Sequence, residues 1–315
     1  MLKVGLVGVG GISGVHIPAW ESMEDVELVA LCDVRPERME PHPAQRHYTD
    51  YAEMLEREQL DIVDICLPTY LHADYAVAAM EKGIHVLCEK PISLKKEDVA
   101  RVYGTAERNG VRFMVAQVLR FWPEYCYIKQ LYDKGTYGKL LSGSMIRLGS
   151  YPAWSWDNWM MDEERSGLVP FDLHIHDLDF MVYAFGAPQN RICHRSKRPE
   201  QDYLHGLYVF DGFFITSEAS WYAAPYPFTA EFRFQFENAV VAMEHGKLTV
   251  YEKGGQIVSP MEESKSGVEG VINLPKSDAY ANEIRYFTDC VQQGVTPDRV
   301  KPQELSCVLD ILTSF

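Results

Sequence analysis

The chain has 315 residues, of which 47% are hydrophobic and 24% are charged, a composition typical of globular proteins that excludes disordered and collagen-like classes. Acidic residues outnumber basic residues by 45 to 30 and give a formal net charge of -15, which disfavours nucleic acid as a partner because such a field repels phosphate. No apolar run approaches the roughly 18 residues that a membrane span requires, so we expect no membrane partner.

Strand and helix patterns alternate over the first part of the chain. Short β-branched runs predict strands, and apolar residues at helical spacing predict helices. This alternation predicts an α/β fold over residues 1–120, a doubly wound parallel sheet of the dinucleotide-binding Rossmann type. The strands are predicted at residues 3–9, 26–32, 60–67, 84–88 and 111–115, and the helices at residues 16–23, 72–82 and 95–109.

The pattern becomes mainly β after about residue 120. Asp211-Gly212 and His245-Gly246 are hairpin signals between apolar runs. We predict an α+β domain with a mainly antiparallel sheet over residues 121–315, which binds substrate and forms oligomers and whose C-terminal helix can pack back on the first domain. The strands are predicted at residues 140–148, 203–210, 213–221, 228–236, 239–244 and 247–251, and the helices at residues 172–185, 279–292 and 302–315.

One of these strands carries a stripe of aromatic residues. Ala230, Phe232, Phe234 and Phe236 alternate with charged and amide side chains and therefore face one side. We interpret this stripe as sheet core or as a dimer interface, and not as a ligand site.

The seven cysteines are scattered and form no Cys-x-x-Cys pair. Several lie in apolar runs, as Cys66 does, which is typical of reduced, buried thiols in a cytoplasmic protein. The N-terminal stretch has too short an apolar segment for a signal peptide. We therefore predict a cytoplasmic protein and no targeting segment.

A glycine loop follows the first predicted strand and opens a helix. Its pattern is Gly8-x-Gly10-x-x-Ser13, in which the first glycine permits the turn and the second lets the backbone approach a pyrophosphate. The helix N-terminus favours the anion, although an ordinary glycine-rich turn has the same residue types. The residues predicted to form this phosphate cradle are Gly8, Gly10, Gly11, Ile12 and Ser13.

The second predicted strand ends at Asp33, at the spacing expected for a ribose-binding carboxylate. A carboxylate there accepts hydrogen bonds from ribose hydroxyls and repels a 2′-phosphate, which favours NAD. Arg35 keeps NADP open, because a nearby arginine can accommodate that phosphate. Alternatively, Asp33 is a turn residue after a strand.

Two further positions carry candidate catalytic groups. Lys90 follows the fourth predicted strand, where it can stabilise negative charge on a substrate oxygen, or it is a surface lysine before Pro91. Asp172 and His176 are four residues apart on a predicted helix, so the carboxylate can orient the imidazole as a general base.

Three alternatives compete for the helix segment. Asp172 can be an N-cap, and the histidines can be ordinary polar helix residues. His174, His176, Asp177 and Asp179 also contain the types of metal ligands. However, residues two apart on a helix diverge by about 200°, and no further histidine cluster completes the set. We therefore predict no metal.

An aromatic loop precedes this helix. It contains Trp154, Trp156 and Trp159, and Arg165 follows it. Aromatic rings stack on the C–H faces of sugar rings, and a few polar groups bind the hydroxyls. We expect either a wall of the substrate pocket, with contacts from Trp154, Trp159 and Arg165, or a hydrophobic loop buried against a neighbouring domain or subunit.

Four motifs together resemble the Gfo/Idh/MocA family, named for glucose–fructose oxidoreductase and inositol dehydrogenase. They are the glycine loop followed by His16, the stretch 61–91 from DIVDIC to CEKP, the stretch 166–180 (SGLVPFDLHIHDLDF) and RFWPEY at 120–125. The resemblance implies a Rossmann domain, a second domain whose sheet often forms the oligomer interface, and NAD(P)-dependent redox chemistry at a sugar or polyol carbon. It therefore implies a homodimer or homotetramer formed through that sheet.

The resemblance also implies residue roles. Lys90, Asp172 and His176 match the catalytic residues of the family. His174 stands where glycine is frequent, and Val169-Pro170 replaces small residues, so we expect His174 to add a polar group at the edge of the substrate site. The residues matching cofactor-side elements are Pro68, His72, Glu89, Lys90 and Arg120.

These observations predict an oxidoreductase acting on a small sugar, polyol or inositol-like substrate. His176 would exchange the hydroxyl proton, Asp172 would orient His176, and Lys90 would stabilise the alkoxide-like oxygen. Two alternatives stay open: an NAD-dependent glycosidase that releases no NADH, and a non-catalytic dinucleotide-binding regulator, which would need none of these three residues.

Overall fold

The computed structural model describes residues 1–261 and 277–315. Their contacts divide the chain into two compact units, the first formed by Met1–Val118 together with residues 277–306 and the second by residues 119–261 and 307–315. Within these described ranges, no helix is both long enough and apolar enough to cross a membrane. Each of the seven cysteines is a free thiol.

The elements are numbered along the chain. The strands are β1 Leu2–Val7, β2 Val26–Cys32, β3 Arg46–Tyr48, β4 Ile62–Ile65, β5 His85–Glu89, β6 Phe113–Ala116, β7 Leu140–Ser150, β8 Asn190–Arg198, β9 Gln201–Val209, β10 Phe214–Tyr222, β11 Thr229–Phe236, β12 Ala239–Glu244, β13 Lys247–Glu252 and β14 Ile257–Val258. The helices are α1 Ser13–Glu21, α2 Tyr51–Arg57, α3 His72–Glu81, α4 Glu97–Asn109, α5 Pro123–Lys134, α6 Glu163–Ser166, α7 Ile175–Phe185, α8 Ala279–Gln293 and α9 Pro302–Leu312.

The first unit contains a six-stranded sheet in the order β3-β2-β1-β4-β5-β6. Every pair in it is parallel, which confirms the predicted doubly wound sheet. The inner strands read as nearly continuous apolar runs because helices cover both faces of such a sheet. The short elements β3 and α2 had no clear sequence signal.

One part of the predicted domain division differs from the structure. The sequence analysis assigned residues 121–315 to the second domain, but residues 277–306 group with the first unit. The reason is that α8 packs against α1 and β5. Arg285 of α8 also forms an ion pair with Asp25, with 2.7 Å between guanidinium and carboxylate.

The second unit contains an eight-stranded sheet in the order β14-β13-β12-β11-β7-β10-β9-β8. Its pairs are antiparallel except β7 with β10, so the predicted mainly antiparallel sheet is confirmed. The β12–β13 hairpin turns through His245 and Gly246, both with positive φ, as a tight primed turn requires. Strand β8 was missed because it is a polar, largely exposed edge strand.

The aromatic stripe of β11 forms the core of this unit. Phe232, Phe234 and Phe236 are each at most 2% exposed. The ring of Tyr125 in α5 lies 5.0 Å from that of Phe232, and the ring of Phe185 in α7 lies 5.7 Å from that of Phe234. The stripe is therefore sheet core, packed under two helices, and α5 had not been predicted.

Candidate functional site

The glycine loop between β1 and α1 packs closely against the protein at Gly8 and faces open space at Gly10. Gly8 has a φ of +95°, and a Cβ there would lie 2.6 Å from the carbonyl oxygen of Cys66, so the turn requires glycine. Apart from Gly10 and its two chain neighbours, no atom of the residues that the structure describes lies within 4 Å of the position of a Cβ on Gly10. The Ser13 hydroxyl donates to the Gly10 carbonyl at 2.8 Å and fixes the loop against the helix.

The loop fits a bound pyrophosphate. Gly11 and Ile12 form the turn that leads into α1, where the Val15 N–H donates to the Ile12 carbonyl at 3.1 Å. The first turn of α1 contains no acidic side chain. The N-terminal end of a helix carries a partial positive charge, so this end of α1 favours an anion beside the open Gly10.

Asp33 supports the same loop from the end of β2. Its Oδ2 accepts the Val9 N–H at 2.8 Å, and its Oδ1 accepts the Arg35 N–H at 2.9 Å. A carboxylate has about four lone-pair positions, so it can also accept ribose hydroxyls. Arg35 Nε lies 3.2 Å from Asp33 Oδ1, which directs this guanidinium onto the carboxylate.

Arg38 is a loop-supporting residue that the sequence analysis missed. Its Nε donates to the Val9 carbonyl at 2.9 Å, so both polar groups of the Val9 backbone are bound by side chains that follow β2. No sequence signal distinguishes Arg38 from a surface residue, because the contact joins positions 29 residues apart.

Lys90 follows β5 at the same edge of the sheet as the glycine loop, and it is half-buried. The preceding Glu89 is buried, and its Oε2 accepts the Lys90 N–H at 3.1 Å. Its Oε1 lies 3.0 Å from Nε2 of His16 in α1. Glu89 thus has protein partners on both carboxylate oxygens.

Pro68 lies in the turn that follows β4, and His72 is the first residue of α3. The Leu71 N–H donates to the Pro68 carbonyl at 3.0 Å. His72 is buried, with Nδ1 2.6 Å from the Pro91 carbonyl oxygen and Nε2 2.6 Å from the Leu67 carbonyl oxygen. We expected His72 to contact the cofactor directly. The structure instead engages both ring nitrogens in holding this turn to Pro91.

A cluster of buried polar side chains contacts Glu89 through His16. His16 Nδ1 is 2.8 Å from Asp64 Oδ2, and Trp20 Nε1 donates to that same oxygen at 2.7 Å. The Cys66 thiol lies 3.8 Å from Asp64 Oδ1. The sequence analysis did not assign these residues, although a charged Asp64 inside the apolar strand β4 is a signal that a buried partner exists.

In the second unit, Asp172 and His176 share an accessible position. Asp172 lies in a π-helical turn, Pro170–His174, that continues into α7. Every residue from 166 to 182 is buried except these two, which are half-buried. Residues four apart on a helix share a face, so these two half-buried side chains lie on the same, partly open face of this segment. Turns of the π type often occur at functional sites.

The His174 side chain lies in the interior of the second unit, against the sheet. It is fully buried, its Nε2 lies 2.5 Å from the Tyr208 hydroxyl, and the Ser217 hydroxyl lies 3.3 Å from its Nδ1. Burial, with a smaller contribution from Arg147, lowers the pKa of His174 to about 3, so the ring is neutral. This corrects the expectation that His174 borders the substrate site, because both ring nitrogens bind residues of the sheet.

Arg120 also has a different place from the one expected. It is fully buried and binds Asp179 through two bonds, from Nε at 2.8 Å and from Nη2 at 2.7 Å. Its guanidinium carbon lies 4.7 Å from the ring centre of Tyr183. We had expected a cofactor contact, but this guanidinium is part of the interior of the second unit.

The alternative of a metal site on α7 is disfavoured by the same contacts. Asp177 binds Arg147 at 2.7 Å, Asp179 binds Arg120, and His174 binds Tyr208, so these side chains diverge. Among the described residues, the group whose potential ligand atoms all lie within 4.8 Å of one another is His16, Asp64 and Cys66.

Some side chains of the aromatic loop pack in the interior of the second unit, and others are exposed. Trp159 packs against a buried cluster of the second unit that includes Val169 and Trp221. Trp154 is 60% exposed. Arg165 Nη1 donates to the Asp157 carboxylate at 3.0 Å. Trp154 and Arg165 therefore stay candidates for ligand contact, whereas Trp159 has a packing role.

Comparisons with known proteins cover both units. Residues 2–117 match a family model described as "Oxidoreductase family, NAD-binding Rossmann fold". Residues 125–248 match a second model, described as "GFO/IDH/MocA C-terminal domain". The two matches lie in the order predicted from the motifs.

Curated relatives and a solved structure agree with these matches. D-apiose dehydrogenase of Paraburkholderia graminis is 31% identical over 188 residues, which are 58% of this chain and 50% of the relative. Myo-inositol 2-dehydrogenase of Thermotoga maritima is 30% identical over 191 residues, 59% of this chain and 55% of the relative. The matched stretches thus span about half of each relative.

A crystal structure of an oxidoreductase from Agrobacterium radiobacter, solved with NAD+, L-tartaric acid and magnesium, has the same fold. The alignment has a TM-score of 0.84 and 18% sequence identity, and it covers 99% of this chain and 94% of that chain.

The two glycines of the loop should respond differently to the same substitution. We expect Gly10→Ala to leave the thermal unfolding midpoint unchanged and to weaken NADH binding at least about tenfold, because the methyl group occupies the open space where a phosphate approaches. Gly8→Ala should lower the midpoint itself, because its methyl group meets the Cys66 carbonyl. NADH fluorescence and thermal unfolding measure both effects. Unchanged NADH affinity in Gly10→Ala would remove the loop from the binding site.

The Arg120–Asp179 pair should be structural. Asp179→Asn leaves a buried guanidinium without its counter-charge, which costs about 3–5 kcal/mol, so urea unfolding should shift to a markedly lower denaturant concentration. The control is Asp157→Asn, which breaks the pair of an exposed aspartate with Arg165 and should cost less than about 1 kcal/mol. Equal effects of the two substitutions would contradict the structural role.

Proposed function

The chain belongs to the Gfo/Idh/MocA oxidoreductase family, and on that premise we propose that it transfers a hydride between NAD and a carbon of a small sugar, polyol or inositol-like substrate. One observation carries this proposal: the open glycine loop, Asp33 and Lys90 all follow strands of one parallel sheet at their carboxyl ends. Ligands of open parallel sheets bind at that edge.

The cofactor is held, in this proposal, by the first unit. Gly8, Gly10, Gly11, Ile12 and Ser13 form the pyrophosphate cradle, and Asp33 binds the adenosine ribose. The ion pair of Asp33 with Arg35 supports NAD over NADP, because it uses the guanidinium that would otherwise neutralise a 2′-phosphate. NAD, when bound, accepts or donates the hydride.

Lys90 provides positive charge to the substrate oxygen. Oxidation of a hydroxyl leaves negative charge on that oxygen as the proton departs, and an ammonium group stabilises it. Half-burial of Lys90 suits this role because it limits screening by water. Glu89 supports the loop from which the Lys90 side chain projects.

His176 and Asp172 handle the proton in this proposal. His176 accepts the hydroxyl proton during oxidation and returns it during reduction, and Asp172 orients the imidazole and stabilises its charged form. Their accessible positions in an otherwise buried segment support these roles. The family resemblance assigns Lys90, Asp172 and His176 to one reaction.

The names of two relatives, a D-apiose dehydrogenase and a myo-inositol 2-dehydrogenase, support the proposed substrate class. Trp154 and Arg165 supply a ring face and a hydrogen-bond donor of the kind that sugars bind. We further propose a cytoplasmic homodimer or homotetramer that associates through the sheet of the second unit.

A polyol screen tests the function directly. Purified protein is incubated with NAD+ and, one at a time, myo-inositol, apiose, common aldoses and aryl glycosides of those aldoses, and both NADH absorbance and product are followed. The proposal predicts accumulation of NADH in proportion to oxidised product. Product without NADH would indicate the glycosidase alternative, and NAD binding without any turnover would indicate the regulator.

Lys90→Ala should separate catalysis from cofactor binding. We expect kcat to fall about 100-fold or more, the loss typical of a group that stabilises an oxyanion, with the Kd of NADH within about threefold of the wild-type value, since the charge acts on the substrate oxygen. Lys95→Ala, at an exposed position five residues later, is the matched control and should keep full turnover. An unchanged kcat in Lys90→Ala would remove Lys90 from the mechanism.

A further inference from the structure

The peptide that carries Lys90 is bound on both sides by buried histidines. Before it, Glu89 contacts His16 of α1 at 3.0 Å. After it, the Pro91 carbonyl contacts His72 of α3 at 2.6 Å. Both histidines are at most 1% exposed, so helices on two sides of the sheet edge determine where the Lys90 side chain begins.

His16 differs from His72 because its partners are charged. Its two ring nitrogens face carboxylates of two neighbouring strands, Asp64 of β4 at 2.8 Å and Glu89 at the end of β5 at 3.0 Å. A neutral imidazole has only one N–H to donate. When both carboxylates are ionised, the doubly protonated ring is the form that can donate a hydrogen bond to each of them.

We propose that His16, as a buried imidazolium shared between Asp64 and Glu89, is a positioning residue that fixes the peptide of Lys90. The contacts form a continuous chain from Asp64 to Lys90. His16 Nδ1 contacts Asp64, His16 Nε2 contacts Glu89 Oε1, and Glu89 Oε2 accepts the Lys90 N–H at 3.1 Å. This inference rests on the proposed role of Lys90 and adds a residue that acts through it.

Helix α1, which contains His16, also contacts the glycine loop. His16 lies three residues after Ser13, which closes that loop onto Gly10. One helix, α1, therefore supports both the phosphate cradle and the peptide of Lys90. The position of the Lys90 peptide relative to the phosphate cradle therefore depends in part on α1.

The electrostatic surroundings favour the charged form of His16. Burial lowers the pKa of His16, while the negative charge of Asp64 and its hydrogen bond raise it, and the net shift lies well above the ordinary value. Burial raises the pKa of the Cys66 thiol to about 12, so Cys66 stays neutral. From α8, the ring of Tyr280 lies 5.9 Å from that of His16.

The contacts of this cluster favour a positioning role for His16 over a metal site. His16, Asp64 and Cys66 are suitable ligand types. However, His16 Nδ1 and Asp64 Oδ2 are at hydrogen-bond distance, and Trp20 donates a further hydrogen bond to the same oxygen. An ion bound between His16 Nδ1 and Asp64 Oδ2 would have to replace the hydrogen bond that joins these two atoms.

The protonation state can be measured without any substrate. Wild-type protein labelled with 15N-histidine is titrated by NMR, and His16→Gln identifies the signal of His16. We expect both ring nitrogens of His16 to stay protonated at a pH well above 6.5, the ordinary histidine pKa. A neutral ring with one protonated nitrogen at that pH would overturn the proposal.

The positioning role is tested by hydrogen exchange at the peptide that contains Lys90. We expect at least about fivefold faster exchange in His16→Gln, since the Glu89 carboxylate that holds the Lys90 amide is released. Glu89→Gln should act in the same direction, and it replaces His16→Gln if that variant does not fold. The control His85→Ala removes a histidine at the opposite end of β5 and should leave this peptide unchanged. Unchanged exchange in both test variants would contradict the role.

Kinetic measurements test whether His16 affects catalysis through Lys90. His16→Gln should lower kcat about tenfold with KM nearly unchanged, as loss of a supporting partner does, and should add less than about twofold in the Lys90→Ala background. Equal losses in both backgrounds would show that His16 does not act through Lys90. If the wild type oxidises no polyol, the proposed function fails, while the NMR and exchange experiments still decide the role of His16.

Discussion

The shared direction of six strands is the constraint on which the first unit depends. Because every pair is parallel, the glycine loop after β1, Asp33 after β2 and Lys90 after β5 all emerge at one edge of the sheet. No single contact creates this arrangement. Each group instead needs local support at that edge, which Arg38 gives to the glycine loop and His16 and His72 give to the peptide of Lys90.

Burial separates the polar residues of the second unit into two classes. Asp177, Asp179 and His174 are fully enclosed and have partners on neighbouring elements, whereas Asp172 and His176 stay accessible. Enclosed ion pairs and hydrogen bonds fix the position of α7, because removing one partner leaves an uncompensated buried group. A rigid α7 in turn gives Asp172 and His176 a defined place from which to act.

Local patterns were sufficient for the sheet types, the hairpins and the glycine loop, because turns, alternation and caps act over a few residues. They were insufficient for long-range partners. Arg120 binds a carboxylate 59 residues away, and neither its charge nor its spacing distinguishes that role from cofactor binding. His174 was predictable in part: helix geometry already places it about 200° from Asp172, and therefore toward the interior if Asp172 and His176 face a ligand.

The central claim is that the first unit binds NAD through the glycine loop and Asp33. Calorimetric titration of the wild-type protein with NAD+, NADH, NADP+ and NADPH tests it most directly. The account predicts binding of the NAD pair and a preference for it over the NADP pair, because Asp33 repels a 2′-phosphate and is already paired with Arg35. Preference for the NADP pair would contradict the role of Asp33, and binding of neither pair would contradict the catalytic account as a whole.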